Sequence, residues 1–404
     1  MAELAPDAPA VVGGIDTHKD LHVAAVVDAA GGVLGTQQFP TTRAGYRRLL
    51  AWMRGFGALR RVGVEGTGSY GAGVLRHLVQ AGVPVLEVER PDRRERRRRG
   101  KSDALDAEAA ARAALAGRRT APPKTKDGAV EALRVLRRTR ATAVKARRAA
   151  LQLLRNHIVS APDEVRDAVR DLTRMQLVRT CAGWRPDAGA FRDPATATRI
   201  ALQSLARRIV ELDDEVATLD ELIGPLVREI NPALIGAVGV GTEIAGQLLV
   251  TAGDNPERMA SEAGFAMLCG VAPLPASSGQ TRRHRLNRGG DRAANSALHL
   301  AVISRMRLDE RTKAYVARRT ADGLSKREII RCLKRYLARE LYPLLKTAAA
   351  SAALAPARAG QGRAAAERTL EPRRTGAQSA AVPGAAGGPA QRRARLLPAP
   401  LDTT

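Results

Sequence analysis

The chain has 404 residues and a formal net charge of +25. That is length for two or three domains, and a balance that points to a polyanionic partner, nucleic acid ahead of a membrane surface. No apolar run reaches the roughly 18 residues that a membrane span needs, the first residues (Met-Ala-Glu-Leu-Ala-Pro-Asp) lack the regions of a signal peptide, and three scattered cysteines, Cys181, Cys269 and Cys332, show neither metal-ligand spacing nor a disulfide framework, which fits a reducing cytoplasm.

After a flexible start over residues 1–10, Val11–Ile15 reads as a buried strand ending at Asp16. A second strand over 21–28 and a third over 33–39 form a hairpin around Ala29-Ala30-Gly31-Gly32. Thr41 or Thr42 caps a helix running to Arg54, with Tyr46, Leu49, Leu50 and Met53 on one face. A strand over 60–65 ends at Glu65; a helix over 70–81 and a strand over 83–88 follow. The basic run Arg90–Arg99 then leads into Gly100-Lys-Ser-Asp-Ala-Leu-Asp and an alanine-rich helix over 102–116. The order β-β-β-α-β-α-β-α requires parallel crossovers after a meander. It is the order of a ribonuclease-H-like domain, here residues 11–120, so the fold class is α/β at the N-terminus with a helical remainder.

That order gathers acids. Asp16 and Glu65 end strands whose parallel pairing brings their C-terminal ends together. Asp103 and Asp106 share one helix face at i,i+3. Alone, the Asp-x-x-Asp pair is also what a solvated helix N-terminus shows, since acids suit the helix dipole. Four carboxylates at one point are another matter. Each like-charge pair at about 4 Å costs on the order of 4 kcal/mol at an effective dielectric of 20, and a divalent cation relieves it. Hard oxygen donors favour Mg²⁺ or Mn²⁺, which in two-metal sites clamp the attacking and leaving oxygens of a phosphoryl transfer. Arg97, Arg98, Arg99 and Lys101 form a cationic approach for nucleic acid. A competing motif is Gly66-Thr-Gly68-Ser-Tyr-Gly71, a GxGxxG between strand and helix followed by Glu87 and Glu89, as a dinucleotide site would have. It follows the fourth strand instead of opening a βαβ unit.

From Lys124 to Leu226 the pattern is one of long arginine-rich helices, broken at Trp184–Gly189 and Arg192-Asp-Pro. Ile200, Leu205, Ile209, Leu212, Val216, Leu219 and Leu222 approach a heptad, so residues 121–230 read as a helical hairpin or a coiled coil for self-association. In residues 231–347, the turn Gly239-Val-Gly241 resembles a helix–hairpin–helix, whose free N–H groups hold phosphate. An ordinary helix–helix turn fits equally. Ser277-Ser278-Gly279 lies in a loop with Arg282, Arg283, Arg285, Arg288 and Arg292. A serine there either attacks phosphorus, given a base or metal, or belongs to a phosphate-binding turn. Residues 293–320 and 325–345 read as helices, the latter as a recognition helix or a packing helix with a basic outer face. From 348 the composition is that of a disordered tail.

The stretches GIDTHKDLHVAAVVD (14–28), GVEGTGSYG (63–71), GKSDALDAEAAARA (100–113), GVGTEIAGQLL (239–249) and FAMLCGVAPLPASSGQTRRHRLNRGGDRAANSALHLA (265–301) resemble, in order and separation, the DEDD-type insertion-sequence transposases of family one-ten and its eleven-eleven subgroup. The resemblance implies a RuvC-like domain in which Asp16, Glu65, Asp103 and Asp106 ligate metal. It also implies a C-terminal transposase domain whose serine before glycine, Ser278 with Ser277 as the alternate, forms a transient phosphoserine link to DNA. Asn287 stands where the family often carries a serine. It further implies a structured guide RNA, DNA ends and target as partners, and a homo-oligomer. The alternative is a Mg²⁺-dependent, junction-resolving nuclease of the same fold without a covalent serine step. A nucleic-acid binder without activity and a nucleotide enzyme built on residues 66–71 stand further back.

Overall fold

A computed structural model describes residues 8–88, 102–118, 120–280 and 284–354, with side chains to 346. The N-terminal part is a six-stranded sheet, β1 (Ala10–Thr17), β2 (Leu21–Val27), β3 (Val33–Pro40), β4 (Ala58–Glu65), β5 (Val85–Val88) and β6 (Thr120–Ala121), in the order β3-β2-β1-β4-β5-β6. The first three strands form an antiparallel meander, β1, β4 and β5 run parallel, and β6 closes the edge antiparallel to β5. This mixed sheet is consistent with a ribonuclease-H-like arrangement. The sixth strand is too short at two residues to carry a periodic signal in the sequence.

Helices cover both faces. On one lie α1 (Arg43–Arg54) and α2 (Ala72–Gln80). Thr42 caps α1 by accepting from Gly45 N at 3.1 Å, and Leu49, Leu50 and Met53 bury against Val11, Ile15, Val62 and Val64. On the other lies α3 (Asp103–Ala116), started by Ser102, whose Oγ accepts from Leu105 N at 3.3 Å. Its inward residues Ala107, Ala110, Ala111 and Ala114 are small, and the strands beneath are smaller still. Gly14 and Gly63 are register partners on β1 and β4. A Cβ at Gly14 would lie 2.2 Å from Ala107 O and Ala111 N, and one at Gly63 2.5 Å from Ala110 O. The helix backbone therefore rests directly on the sheet.

His22, on β2, is wholly buried, neither ring nitrogen has a partner, and the ring stacks on Tyr46 at 5.7 Å. Burial holds the imidazole neutral and pushes its pKa down to about 4. The unfolded chain takes up that proton near pH 6.5, so stability falls as pH drops from about 6.5 to about 4, by roughly 3 kcal/mol from this group. Urea titrations at pH 7 and pH 4.5 are expected to show that part of the acid loss missing in His22→Phe.

The remainder is helical: α4 (Ala129–Val159), α5 (Asp163–Asp167), α6 (Arg174–Gly183), α7 (Pro194–Ile230), α8 (Pro232–Gly236), α9 (Thr242–Ala252), α10 (Glu262–Leu268), α11 (Arg292–Leu308), α12 (Glu310–Ala321) and α13 (Lys326–Leu354), with a small hairpin of β7 (Leu274–Pro275) and β8 (His284–Arg285). Helices α4 and α7 are the two arms of one hairpin. Arg140 pairs with Asp220 and Arg147 with Asp213, at 2.9 and 3.0 Å through Nη2, which fixes their antiparallel sense. Of the apolar seam on α7, Leu205 and Ile209 bury in a tip core with Leu151, Leu154 and α6, whereas Leu222 stays exposed. The heptad-like pattern is thus used largely within the chain. At the base, Val130, Leu133, Ile223 and Val227 belong to a second core shared with α8–α13.

Two expectations change. The helix read over 293–320 is two helices, because Asp309 ends α11 and caps α12, accepting from Thr312 N at 2.9 Å. Residues 348–354, read as the start of the tail, continue α13 to Leu354; residues 355–404 and 1–7 lie outside the described residues. Among the described residues no helix is long and apolar enough to cross a membrane.

Candidate metal centre and serine loop

Ile15 of β1 is the register partner of Val64 of β4, and both face the α1/α2 core. Side chains alternate along strands, so the next residues, Asp16 and Glu65, stand side by side toward α3. Asp16 is only 7% exposed and Asp106 9%. The Asp103 side chain, one turn nearer the helix start, is 49% exposed. Thr17 Oγ1 donates to Glu65 O at 2.8 Å and ties the two strand ends together.

The geometry adds a residue that the sequence alone does not single out. His18 Nε2 lies 3.1 Å from Asp16 Oδ2 and 3.4 Å from Asp103 Oδ2. Ligand atoms of Asp16, His18 and Asp103 all lie within 4.8 Å of one another. Its signal was present: His18 follows Asp16 by two residues, the spacing that keeps a side chain on one strand face. Burial raises the Asp16 carboxyl above its ordinary range; Asp106 and Asp103 push the same way, and His18 opposes them. A partly buried carboxylate facing two others suits a hard divalent cation, and these donors fit one.

The other predicted residues lie elsewhere or out of view. Arg97, Arg98, Arg99, Lys101, Arg282, Arg283 and Glu89 fall outside the described residues. The GxGxxG turn sits above β4, and Glu87, which a ribose would need, accepts from Thr67 Oγ1 at 2.6 Å and lies 3.6 Å from Arg258. Gly239 packs its turn against α11, near Ala301 O, and Gly241 caps α9. Glu243 in the first turn of α9 already meets Arg137 at 3.3 Å and Arg140 at 3.4 Å.

Ser277 and Ser278 are exposed on the loop between β7 and β8, on a different element from the acids. Arg285 and Arg288 are exposed nearby, and Arg292 opens α11. Beside this hairpin runs a cleft of about 950 Å³ bordered by Arg285 and by Arg331, Lys334, Arg335 and Arg339 of α13. The opposite side of α13, with Ile329, Leu333 and Leu337, belongs to the core, so α13 is a packing helix with a basic face. Lys334 is nearly buried and donates to Asn295 Oδ1 at 2.9 Å.

A mixed sheet with acids at the ends of its central parallel strands, beside a helix bearing two more, is consistent with the ribonuclease-H-like domain of a DEDD-type protein. Two family models agree with it. A transposase model, the DEDD transposase of IS110, matches residues 13–161, and the Transposase IS116/IS110/IS902 family matches residues 233–317. The chain belongs to the IS110 family of DEDD transposases. It is 29% identical over 157 residues to the insertion element IS110 uncharacterized 43.6 kDa protein of Streptomyces coelicolor, covering 38% of each chain. It is 25% identical over 145 residues to the insertion element IS900 uncharacterized 42 kDa protein of Mycobacterium paratuberculosis, covering 35% of this chain and 36% of that one. The chain thus spans less than two fifths of the length of the curated relatives it matches.

Proposed function

We propose that the protein is a DNA transposase that cuts and rejoins strands with a metal-bound DEDD site and a serine nucleophile. The observation that carries this reading is the acidic edge, where Asp16 sits beside Glu65 and faces Asp103 and Asp106. Mg²⁺ or Mn²⁺ held there supplies charge neutralisation for a phosphoryl transfer. Residues 11–120 form the metal-bearing domain in this reading, 121–230 a helical arm, and 231–347 the serine-bearing domain.

Asp16, Glu65, Asp103 and Asp106 hold the metal, and His18 orients Asp16 and Asp103. The hydroxyl of Ser278, or of Ser277 in its place, loses its proton and attacks phosphorus. The bond to the departing strand breaks, and the departing oxygen takes up a proton. A hydroxyl of the incoming strand then attacks the phosphoserine and restores the serine. Arg285, Arg288 and Arg292, with Arg282 and Arg283, offset phosphate charge, as do Arg97, Arg98, Arg99 and Lys101 at the other site; the turn at Gly239 and Gly241 adds backbone donors. Acids and serine meet through the bound DNA or through a neighbouring copy in a homo-oligomer. The family resemblance and the net charge of +25 support a structured guide RNA and DNA ends as partners.

Denaturing gels of reactions with end-labelled DNA and Mg²⁺ test the covalent step. Wild type is expected to leave a protein–DNA adduct, and Ser278→Ala is expected to abolish both adduct and exchange. Full exchange by the Ser277→Ala/Ser278→Ala double variant would overturn the serine mechanism, and Mg²⁺-dependent cleavage by wild type with neither adduct nor joined product would leave a hydrolytic nuclease.

A further inference from the structure

On the sheet face opposite α3, helices α1 and α2 enclose a pocket of about 430 Å³ lined by Arg43, Tyr46, Arg47, Gly73, Arg76 and His77, together with Gln80. Its charge is one-sided. No carboxylate lines it, and neither helix contains an acidic residue. Between other packed helices, arginines meet acids: Arg140 pairs with Asp220, Arg147 with Asp213, and Arg305 with Glu340. Arg43 and Arg47 are i,i+4 neighbours on α1 and converge with Arg76 across the gap, with no ion pair among the described residues.

The floor is fixed. The Tyr46 ring stacks on His22 at 5.7 Å and meets His77 at a tilt of 36° with 6.1 Å between centroids. Its hydroxyl lies against the α2 backbone at Gly73, where an added Cβ would come within 2.5 Å of it. His77 Nε2 is buried without a hydrogen-bond partner. Burial, then Arg47 and Arg54, keep that imidazole below its ordinary pKa. Three guanidinium groups around a rigid aromatic floor match an oxyanion with several acceptors, and guanidinium forks pair with phosphate in two bonds at once.

We propose that this pocket grips a backbone phosphate of a bound nucleic acid, clamped by Arg43, Arg47 and Arg76 on the sheet face away from the metal centre. The inference shares with the proposed function only the class of polymer. It assigns the α1/α2 face a second segment of DNA or RNA that takes no part in the chemistry.

The test is run in EDTA, so failure of strand exchange does not bear on it. Full-length protein is titrated by fluorescence anisotropy against labelled duplex DNA and a labelled stem-loop RNA over a range of salt. Arg43→Gln/Arg47→Gln/Arg76→Gln is expected to weaken one probe by about tenfold or more and to flatten its log–log salt dependence by about one to two units. The probe affected names the polymer; an effect on both means that each occupies the pocket. Gln80→Glu, which adds a carboxylate to the rim, is expected to weaken the same probe. Arg48→Gln/Arg60→Gln/Arg61→Gln removes equal charge from exposed positions outside the pocket. Equal losses in the two triple variants, or none in the first, would overturn the proposal.

Discussion

Under the proposed function, Asp106→Asn is expected to bind DNA as wild type does and to join strands at least about 10²–10³-fold more slowly, the usual loss when a preorganised electrostatic group is removed. Its stability is expected to move the opposite way. Asp106 is nearly buried and faces Asp16, whose carboxyl is held up first by burial and then by its acidic neighbours. Removing one of these charges relieves repulsion, so in EDTA the variant melts above wild type. With Mg²⁺ or Mn²⁺ added the order reverses. At a hundredfold excess over Kd a bound ion adds about 2.7 kcal/mol to wild type, and the variant gains little of this. Asp103→Asn, with its half-exposed side chain, loses exchange similarly while its melting point in EDTA changes less. Differential scanning fluorimetry with and without metal reads both effects. An Asp106→Asn protein that exchanges strands at the wild-type rate would remove the metal centre from the mechanism.

Gly14→Ala carries the largest expected structural effect. The added methyl has no rotamer through which to escape and meets the backbone of α3 at 2.2 Å. Overpacking of this kind costs about 3 kcal/mol, and more where backbone must shift. A fall in melting temperature of roughly 10 °C follows. Because α3 carries Asp103 and Asp106, its retreat also weakens metal binding, measured by Mn²⁺ titration calorimetry. Gly63→Ala is expected to do the same through Ala110 O. Gly183→Ala, with nothing within 4 Å of the new methyl, serves as the control and leaves both readings unchanged. Wild-type melting and metal affinity in Gly14→Ala would disprove direct seating of the helix backbone on the sheet.

Much of the N-terminal architecture was readable in the chain because its signals are local. Asp16 stands one residue from the end of β1 and Glu65 ends β4, Thr42 and Ser102 announce helices, and one parallel crossover brings the two strand ends together. What was not readable depends on contacts between distant segments. The alanines of α3 give hardly any amphipathic contrast, so nothing in their spacing says that they meet Gly14 and Gly63. His18 looks like a turn residue until Asp103 arrives beside it. The heptad-like spacing of α7 marks an apolar seam but not its occupant, which is α4 of the same chain along much of its length. The relation of Ser277 and Ser278 to the acids lies beyond periodicity altogether, since the two sets stand on elements more than a hundred residues apart.

The hairpin of α4 and α7 has a further bearing on how the molecule responds to load. At 1.5 Å per residue, the 31 residues of α4 reach about 45 Å. One end is anchored in the C-terminal core and the other carries a core of its own. Between them, charge pairs such as Arg140–Asp220 and Arg147–Asp213 brace the shafts. A tilt of about 2° at the anchored end sweeps the far end through about 1.5 Å over such a length. Whatever docks on the tip therefore works with leverage on the serine-bearing half.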